Sequence, residues 1–277
     1  MEVKNKYLKI IYYIFCTCVA LIFIFPIYYT FINSIRNVYS TPAILTPKDY
    51  DWINYVYAVT LIPFFKYLMN TLIILCISIP LGMLMNFLYG YALAKLRAPG
   101  SNVIFFLVLC TMMIPSFATQ IPQYIMFSKI GITNTFWIWV FEALAGSSYQ
   151  IFLCRQYLLS LPTALTEAAV IDGASQWKII KSVVMPLSKP LLAIVGFNLF
   201  KFNWGDYMTP YMYLSQEKYP LIMALFNNYL YVFPGTSFKL VPVVMAATVL
   251  VMIPIFVTFF LCQKQLVQGV TSSGVKG

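Results

Sequence analysis

Long apolar runs, bounded by single charged residues, dominate this chain. The first extends from Ile10 to Ile35 without a charge, behind Lys4, Lys6 and Lys9. It is longer than the ~7–15 residues of a signal-peptide core and no convincing small-x-small cleavage site accompanies it, so it is read as an uncleaved first span with a kink at Pro26. Residues 36–66 are mixed, with Pro42, Pro47, Asp49, Asp51, Trp52 and several tyrosines. That composition predicts a loop with a short interfacial helix and aromatics at headgroup level. A second uncharged run lies between Lys66 and Lys95, and in it Asn70, Gly82, Asn86, Gly90 and Ala94 fall at multiples of four residues. Small residues at that spacing let another helix approach closely. Four further runs follow: Val103–Gln123 with Pro115 and Pro122, Phe136–Tyr157 with Glu142, Pro190–Tyr213 with Lys201 and Asp206, and Leu240–Cys262. Each has roughly the 20 residues needed to cross a bilayer as a helix. The expected fold is an all-α integral membrane protein with six transmembrane helices.

The longest polar break in the second half is Leu161–Pro186. Pro162 and Thr163 can start a helix there, with Thr163 as N-cap and Glu167 near the first turn. Asp172-Gly173 ends that helix, since glycine takes left-handed angles freely. Ser175 can cap a second helix whose Ile179, Ile180, Val183 and Val184 form one apolar face opposite Lys178 and Lys181. Pro186 and Pro190 then interrupt the chain. Periodicity alone fits either an ordinary amphipathic loop or a docking elbow at the membrane surface.

Composition agrees with a membrane protein. Of 277 residues, 61% are hydrophobic and 9% charged, against about 45–50% and about 25% for soluble domains. The net charge of +10 comes from basic residues standing singly at run ends, which points to topology signals and lipid headgroups and away from nucleic acid. With a cytoplasmic N-terminus, inside segments hold eleven basic residues (Lys4, Lys6, Lys9, Lys95, Arg97, Arg155, Lys178, Lys181, Lys189, Lys264, Lys276). Outside segments hold six (Arg36, Lys48, Lys66, Lys129, Lys218, Lys239), with Lys201 inside a span. Eleven against six favours both termini, and the 161–186 segment, in the cytoplasm. Cys16, Cys18, Cys76, Cys110, Cys154 and Cys262 lie in or at the ends of apolar runs, without a Cys-x-x-Cys pair or any histidine. They predict small buried hydrophobes, with no metal, haem or other cofactor and no disulfide framework.

The residues of the polar break carry more than its period. Glu167-Ala168-Ala169, Gly173 and Pro186, with Asp172 before the glycine, resemble the EAA motif of ABC importer permeases, with Val183 and Met185 where that family has isoleucine and leucine. Asn70-Thr-Leu, Tyr91-Ala-Leu-Ala-Lys-Leu-Arg97-Ala-Pro-Gly, Met112-Met-Ile-Pro115, Ile121-Pro-Gln-Tyr124 and the tail Gly269-Val-Thr-Ser-Ser-Gly-Val-Lys-Gly277 extend the resemblance over roughly residues 64–277. It is to the carbohydrate, maltose-type branch and its MalG-like half. Trp204-Gly205-Asp206 departs from the family's Trp-Asn-acid.

The resemblance implies a type I importer fold in three parts: residues 1–63 as N-terminal helix and outer loop, 64–262 as transmembrane domain with a coupling loop at about 161–186, and 263–277 as cytoplasmic tail. It implies a non-catalytic subunit in the cell membrane that forms half of a sugar or oligosaccharide pore. Its partners would be a MalF-like second permease subunit, a cytoplasmic ATPase dimer and an extracytoplasmic solute-binding protein. Glu167, Ala168, Ala169, Asp172, Gly173 and Pro186 would then couple to the ATPase, and Gly274, Lys276 and Gly277 of the tail would contact it. By loop position, Asn227, Asn228 and Tyr229 would face the binding protein, unless that loop is plain surface.

Charges within spans are costly and usually face a cavity or a partner. Asn198, Lys201, Asn203, Trp204 and Asp206 are therefore candidates for the solute path, an aromatic face beside amides and a charge. The alternative is that Lys201 pairs with Glu142 or Asp206 for assembly. A non-sugar solute such as a glycerol phosphate, or a stand-alone channel, remains the rival function. A membrane enzyme finds no support, because no catalytic cluster gathers at one depth. Nor does the chain contain a Gly-x-x-x-x-Gly-Lys phosphate loop with which to hydrolyse ATP itself.

Overall fold

The computed structural model describes residues 6–37, 39–40, 42, 45–46, 49–96, 98–228 and 237–274. The chain divides into two compact units, Met1–Lys66 with Ala224–Pro254, and Tyr67–Met223 with Ile255–Gly277. Helices α1 (Lys6–Ser34), α2 (Ile53–Thr60), α3 (Phe64–Lys95), α4 (Ser101–Met112), α5 (Ser116–Ile130), α6 (Trp137–Ala145) and α7 (Ser148–Ser160) come first. They are followed by α8 (Thr163–Ile171), α9 (Gln176–Ile179), α10 (Met185–Leu187), α11 (Lys189–Gly205), α12 (Met208–Tyr213), α13 (Leu221–Phe226) and α14 (Ser237–Gly274).

In the first unit the loop after α1 is held by hydrogen bonds. Arg36 and Tyr50 form an antiparallel bridge, and the Asp51 amide donates to the Ile35 carbonyl at 2.7 Å. Fully buried Asn54, at the start of α2, donates from Nδ2 to the carbonyls of Ser34, Arg36 and Asp51, each at 2.9 Å. Buried carbonyls left without a donor are expensive. Asn54→Ala is expected to cost about 2–4 kcal/mol, read as a lowered Tm of the detergent-purified protein.

Three helices are individually long and apolar enough to cross a membrane: Tyr7–Ser34, Phe64–Lys95 and Val241–Leu266. Two bent pairs, Ser101–Met112 with Ser116–Ile130 (102°) and Gln176–Leu187 with Lys189–Gly205 (81°), raise the number to as many as five among the described residues. The expected third, fourth and fifth spans are therefore not straight single helices. The third breaks at Pro115, which has no N–H and drives the residue before it away from helical angles; its own angles are φ −58°, ψ 131°. The fourth breaks at Gly146, φ 75°, ψ 169°. The fifth stops at Gly205, and Asp206 is extended. Pro26 and Pro80, in contrast, sit inside continuous helices. At the other end α14 passes Cys262, so the stretch expected as a tail is helical through Gly274.

The core of the second unit forms where α3, α7, α9 and α11 converge. Phe87 and Tyr91, Cys154 and Leu158, Ile179, Ile180 and Val184, and Leu191 and Val195 are all buried there in one cluster. Cys154 is thus the buried hydrophobe expected of it, whereas Cys18 and Cys76 are exposed. Small-residue spacing on α3 makes this packing possible. A Cβ at Gly90 would lie 2.4 Å from Cys154 Cβ, so the two helix backbones nearly touch.

Candidate functional site

Two features of the second unit gather the predicted residues. The first is the elbow α8–α10. Pro162, in extended geometry, precedes α8. Thr163 thus lies inside the first turn, with no side-chain cap, and Glu167 is in the middle of the helix, correcting both expectations. Proline suits this start, since the missing N–H is one that a helix end leaves unpaired anyway. The helix ends at Asp172, and Gly173 takes φ +74° with open space on the side where a Cβ would stand. The Asp172, Gly173 and Ala174 amides cap the last carbonyls of α8, those of Ala168, Val170 and Ala169, at 3.0 Å each. Ser175 then caps α9, its Oγ accepting from the Lys178 amide at 3.4 Å.

After one turn the second helix widens into a π-turn over Ile180–Val184 and closes as α10. No local composition marks such a turn. Ile179, Ile180 and Val184 are buried, each worth about 1.5–3 kcal/mol of burial. Polar ties reinforce them: Tyr91 Oη donates to Gln176 Oε1 at 3.1 Å, Lys95 Nζ to the Leu161 carbonyl at 2.9 Å, and Tyr157 Oη to the Leu187 carbonyl at 2.9 Å. The opposite surface is bare. Glu167, Ala168, Asp172, Gly173 and Pro186 are exposed and Ala169 is half-buried. Ile171 is 85% and Trp177 68% exposed, far more than apolar side chains facing water without a partner would be. A hollow of about 570 Å³ lies under α8, lined by Tyr91, Lys95, Thr163, Glu167, Ile171 and Gln176 among others.

The second feature is a cavity of about 800 Å³ lined from α3, α5, α6, α7 and α11. Ser78, Gly82 and Asn86 stand one turn apart on one face of α3. Buried Asn86 braces the break between α6 and α7: its Nδ2 donates to the Gly82 carbonyl at 2.6 Å and its Oδ1 accepts from the Ser147 amide at 2.8 Å. Gln123 donates to Glu142 at 3.5 Å. From α11 come Asn198, Lys201, Phe202 and Asn203.

Asn198, Lys201 and Asn203 are thus brought together, whereas Trp204 and Asp206 are not among the lining residues. Trp204 is buried and stacks on Phe200, with centroids 5.6 Å apart. Asp206 Oδ1 accepts from the Met208 and Thr209 amides at 3.1 Å each and so starts α12. Asn227 and Asn228 lie in the other unit just beyond α13, where Asn228 donates to the Ala224 carbonyl at 2.7 Å. Gly274 ends α14; Arg97, Tyr229, Pro234, Gly235, Lys276 and Gly277 lie outside the described residues. Sequence reasoning overlooked Ser78, Gln123 and Gln150. Their signal was amides and a hydroxyl embedded in apolar runs, with Ser78 in step with Gly82 and Asn86. Among the described residues no group of His, Cys, Asp and Glu side chains could hold a metal ion.

The family model for the binding-protein-dependent transport system inner membrane component matches residues 78–272, which contain the elbow and most of the cavity. The chain belongs to this family. It is a permease of the ABC importer type, a multi-pass membrane subunit of a binding-protein-dependent transport system and not itself an enzyme. The permease is 28% identical to the galactooligosaccharides transport system permease protein GanQ of Bacillus subtilis (strain 168), over 100% of this chain and 99% of that one. It is 31% identical to the melibiose/raffinose/stachyose import permease protein MelC of the same organism, over 75% of each. It is 28% identical to the sn-glycerol-3-phosphate transport system permease protein UgpE of Salmonella typhi, over 91% and 92%. Its fold matches a chain in the crystal structure of a bacterial ABC transporter involved in the import of the acidic polysaccharide alginate, with TM-score 0.83 and 24% identity, over 95% of this chain and 98% of that one. The expected all-α, type I importer fold is therefore the fold of the permease.

Proposed function

We propose that the permease forms one half of the pore of a sugar or oligosaccharide importer, alongside a second permease subunit, a cytoplasmic ATPase dimer and an extracytoplasmic solute-binding protein. The observation that carries this reading is the two-sided elbow. One face is sunk into the core through Ile179, Ile180 and Val184, and the other presents Glu167, Ala168 and Gly173 beside exposed Ile171 and Trp177. An ATPase that grips the bare face moves the core with it, because the buried face ties the elbow to α3, α7 and α11. The sugar assignment is supported by the names of GanQ and MelC. UgpE keeps a phosphorylated solute in view.

The remaining assignments extend this reading. The elbow and both termini face the cytoplasm of a cell whose inner or only membrane holds the permease. Residues 64–262 form the transmembrane domain behind the 1–63 segment. The end of α14 with Lys276 and Gly277 meets the ATPase, and Asn227, Asn228 and Tyr229 face the binding protein. Asn198, Lys201 and Asn203 line the solute path, with Trp204 and Asp206 supporting it from behind.

Glu167→Lys tests the elbow. Glu167 is exposed, so the substitution leaves the fold intact while placing like charge against the basic partner inferred for it. Uptake by the assembled transporter should fall roughly tenfold or more at unchanged membrane abundance. Uptake equal to that of the wild type would remove the coupling assignment.

A further inference from the structure

Two buried polar atoms beside the 800 Å³ cavity have no partner among the described residues. Gln150, on α7, is 6% exposed and Ser78, on α3, is 4% exposed. Both residues line the cavity, and neither Gln150 Oε1 nor Ser78 Oγ has a hydrogen-bond partner there. Such groups are normally satisfied inside proteins, and leaving them unsatisfied is costly. Asn86, a turn or two further along α3, shows what a structural amide looks like here, since both ends of its side chain are bonded to backbone. Gln150 and Ser78 have no such structural employment.

The charges bordering the same cavity nearly cancel. Among the described residues its charged lining consists of Glu142 and Lys201, one of each sign, with no arginine. A phosphate or a uronate is normally held by a surplus of cations, often arginine forks, and this cavity supplies none. Its remaining polar lining consists of neutral amides and hydroxyls beside aromatic faces such as Phe202. Hydroxyl groups on a ring with apolar faces match that lining in both respects.

We propose that this cavity is a solute-contact site for an uncharged polyhydroxylated ligand, a neutral glycoside, with Gln150 and Ser78 supplying hydrogen bonds that only the ligand completes. The inference rests on the importer reading above and narrows it: this subunit itself touches the solute, and anionic sugars and sugar phosphates are not its substrates.

The test uses the complete transporter with its own partner subunits and two labelled probes, maltotriose and glycerol 3-phosphate. The wild type is expected to take up maltotriose and not glycerol 3-phosphate. Gln150→Leu should raise the maltotriose KM roughly threefold to tenfold, the worth of one or two hydrogen bonds. Ser78→Ala, which removes a single oxygen from a helix and keeps the fold, should raise it about twofold to threefold. The amount of assembled complex, measured by size-exclusion chromatography, separates a binding loss from a folding loss. Preferred uptake of glycerol 3-phosphate overturns the neutral class. Maltotriose uptake with an unmoved KM in both variants overturns the site while leaving the importer reading intact, and is also the result expected if the orphan groups serve a lipid headgroup. A complex with neither probe uptake nor ATP hydrolysis refutes the importer reading, and the inference falls with it.

Discussion

Gly90→Leu is expected to leave almost no folded permease. A Cβ at this position would lie 2.4 Å from Cys154 Cβ, 3.0 Å from the Arg155 amide nitrogen and 3.1 Å from the Cys154 carbonyl carbon. Two of those three are backbone atoms of α7, so no rotamer change makes room. Helix α7 would have to withdraw from α3, taking with it the Arg155 Nε bond to the Leu93 carbonyl (3.3 Å) and the Arg155 guanidinium 3.9 Å above the Phe105 ring. Even Gly90→Ala should be destabilising. The gain of about 1 kcal/mol in helix propensity is outweighed by overpacking, which costs about 1–3 kcal/mol or more. Gly82 and Gly196 provide the comparison, since a Cβ there would first meet Leu199 Cδ1 or Met83 Sδ, each at 3.1 Å and each at the end of a flexible side chain. Alanine at those two sites should be nearly neutral. Fluorescence-detected size-exclusion chromatography of all three variants gives the ranking, and Cys154→Gly should partly rescue Gly90→Ala. Equal yield of Gly90→Ala and Gly82→Ala would rule out the close approach of α3 and α7.

The second large effect is expected at Gly173. Its φ of +74° lies far from the about −65° that proline enforces, and its amide donates to the Val170 carbonyl at 3.0 Å. Asp172 before it sits at φ −71°, ψ 5°, a conformation that a following proline disfavours. Gly173→Pro must therefore rebuild the bend between α8 and α9. Gly173→Ala faces no steric obstacle, because nothing lies within 4 Å of its Cβ position, and its cost is the left-handed backbone alone, about 1 kcal/mol. The permease should still insert and assemble in both variants, since the core face of the elbow lies beyond the bend. Uptake should be lost in Gly173→Pro while the associated ATPase continues to turn over, and should be largely kept in Gly173→Ala. Matching uptake in the two variants would separate the bend from coupling. So would an ATP hydrolysis rate that falls in step with uptake.

What could be read in advance followed from features with strong local physics. Gly173, Ser175 and the apolar face of α9 each announce themselves by residue type and spacing, and the structure contains the turn, the cap and the buried face. The four-residue spacing of Gly82, Asn86 and Gly90 likewise anticipated the close packing of α3. The breaks at Pro115, Gly146 and Gly205 escaped notice because hydropathy averaged over about 20 residues treats a bent apolar pair and a straight helix alike. Each became visible only where backbone angles depart from helical values. The cavity escaped for a related reason. Gln150 and Ser78 are single polar residues in otherwise apolar runs, and which of them meet depends on the rotation of α3 and α7 about their axes.

The π-turn at Ile180–Val184 gives the elbow a fixed tolerance to insertion and deletion. An α-helix advances about 100° per residue, so the one residue accommodated by the wider turn sets the bearing of everything after it. Point substitutions among the exposed residues Lys181 and Ser182 keep that bearing. Removing one of them lets the segment regularise into an uninterrupted α-helix, locally a more comfortable one, but turns Pro186 and α11 by about a quarter revolution relative to Ile179. A shorter, smoother elbow would thus be well folded and misaligned, and length polymorphism in this segment is a more severe lesion than most changes of side chain.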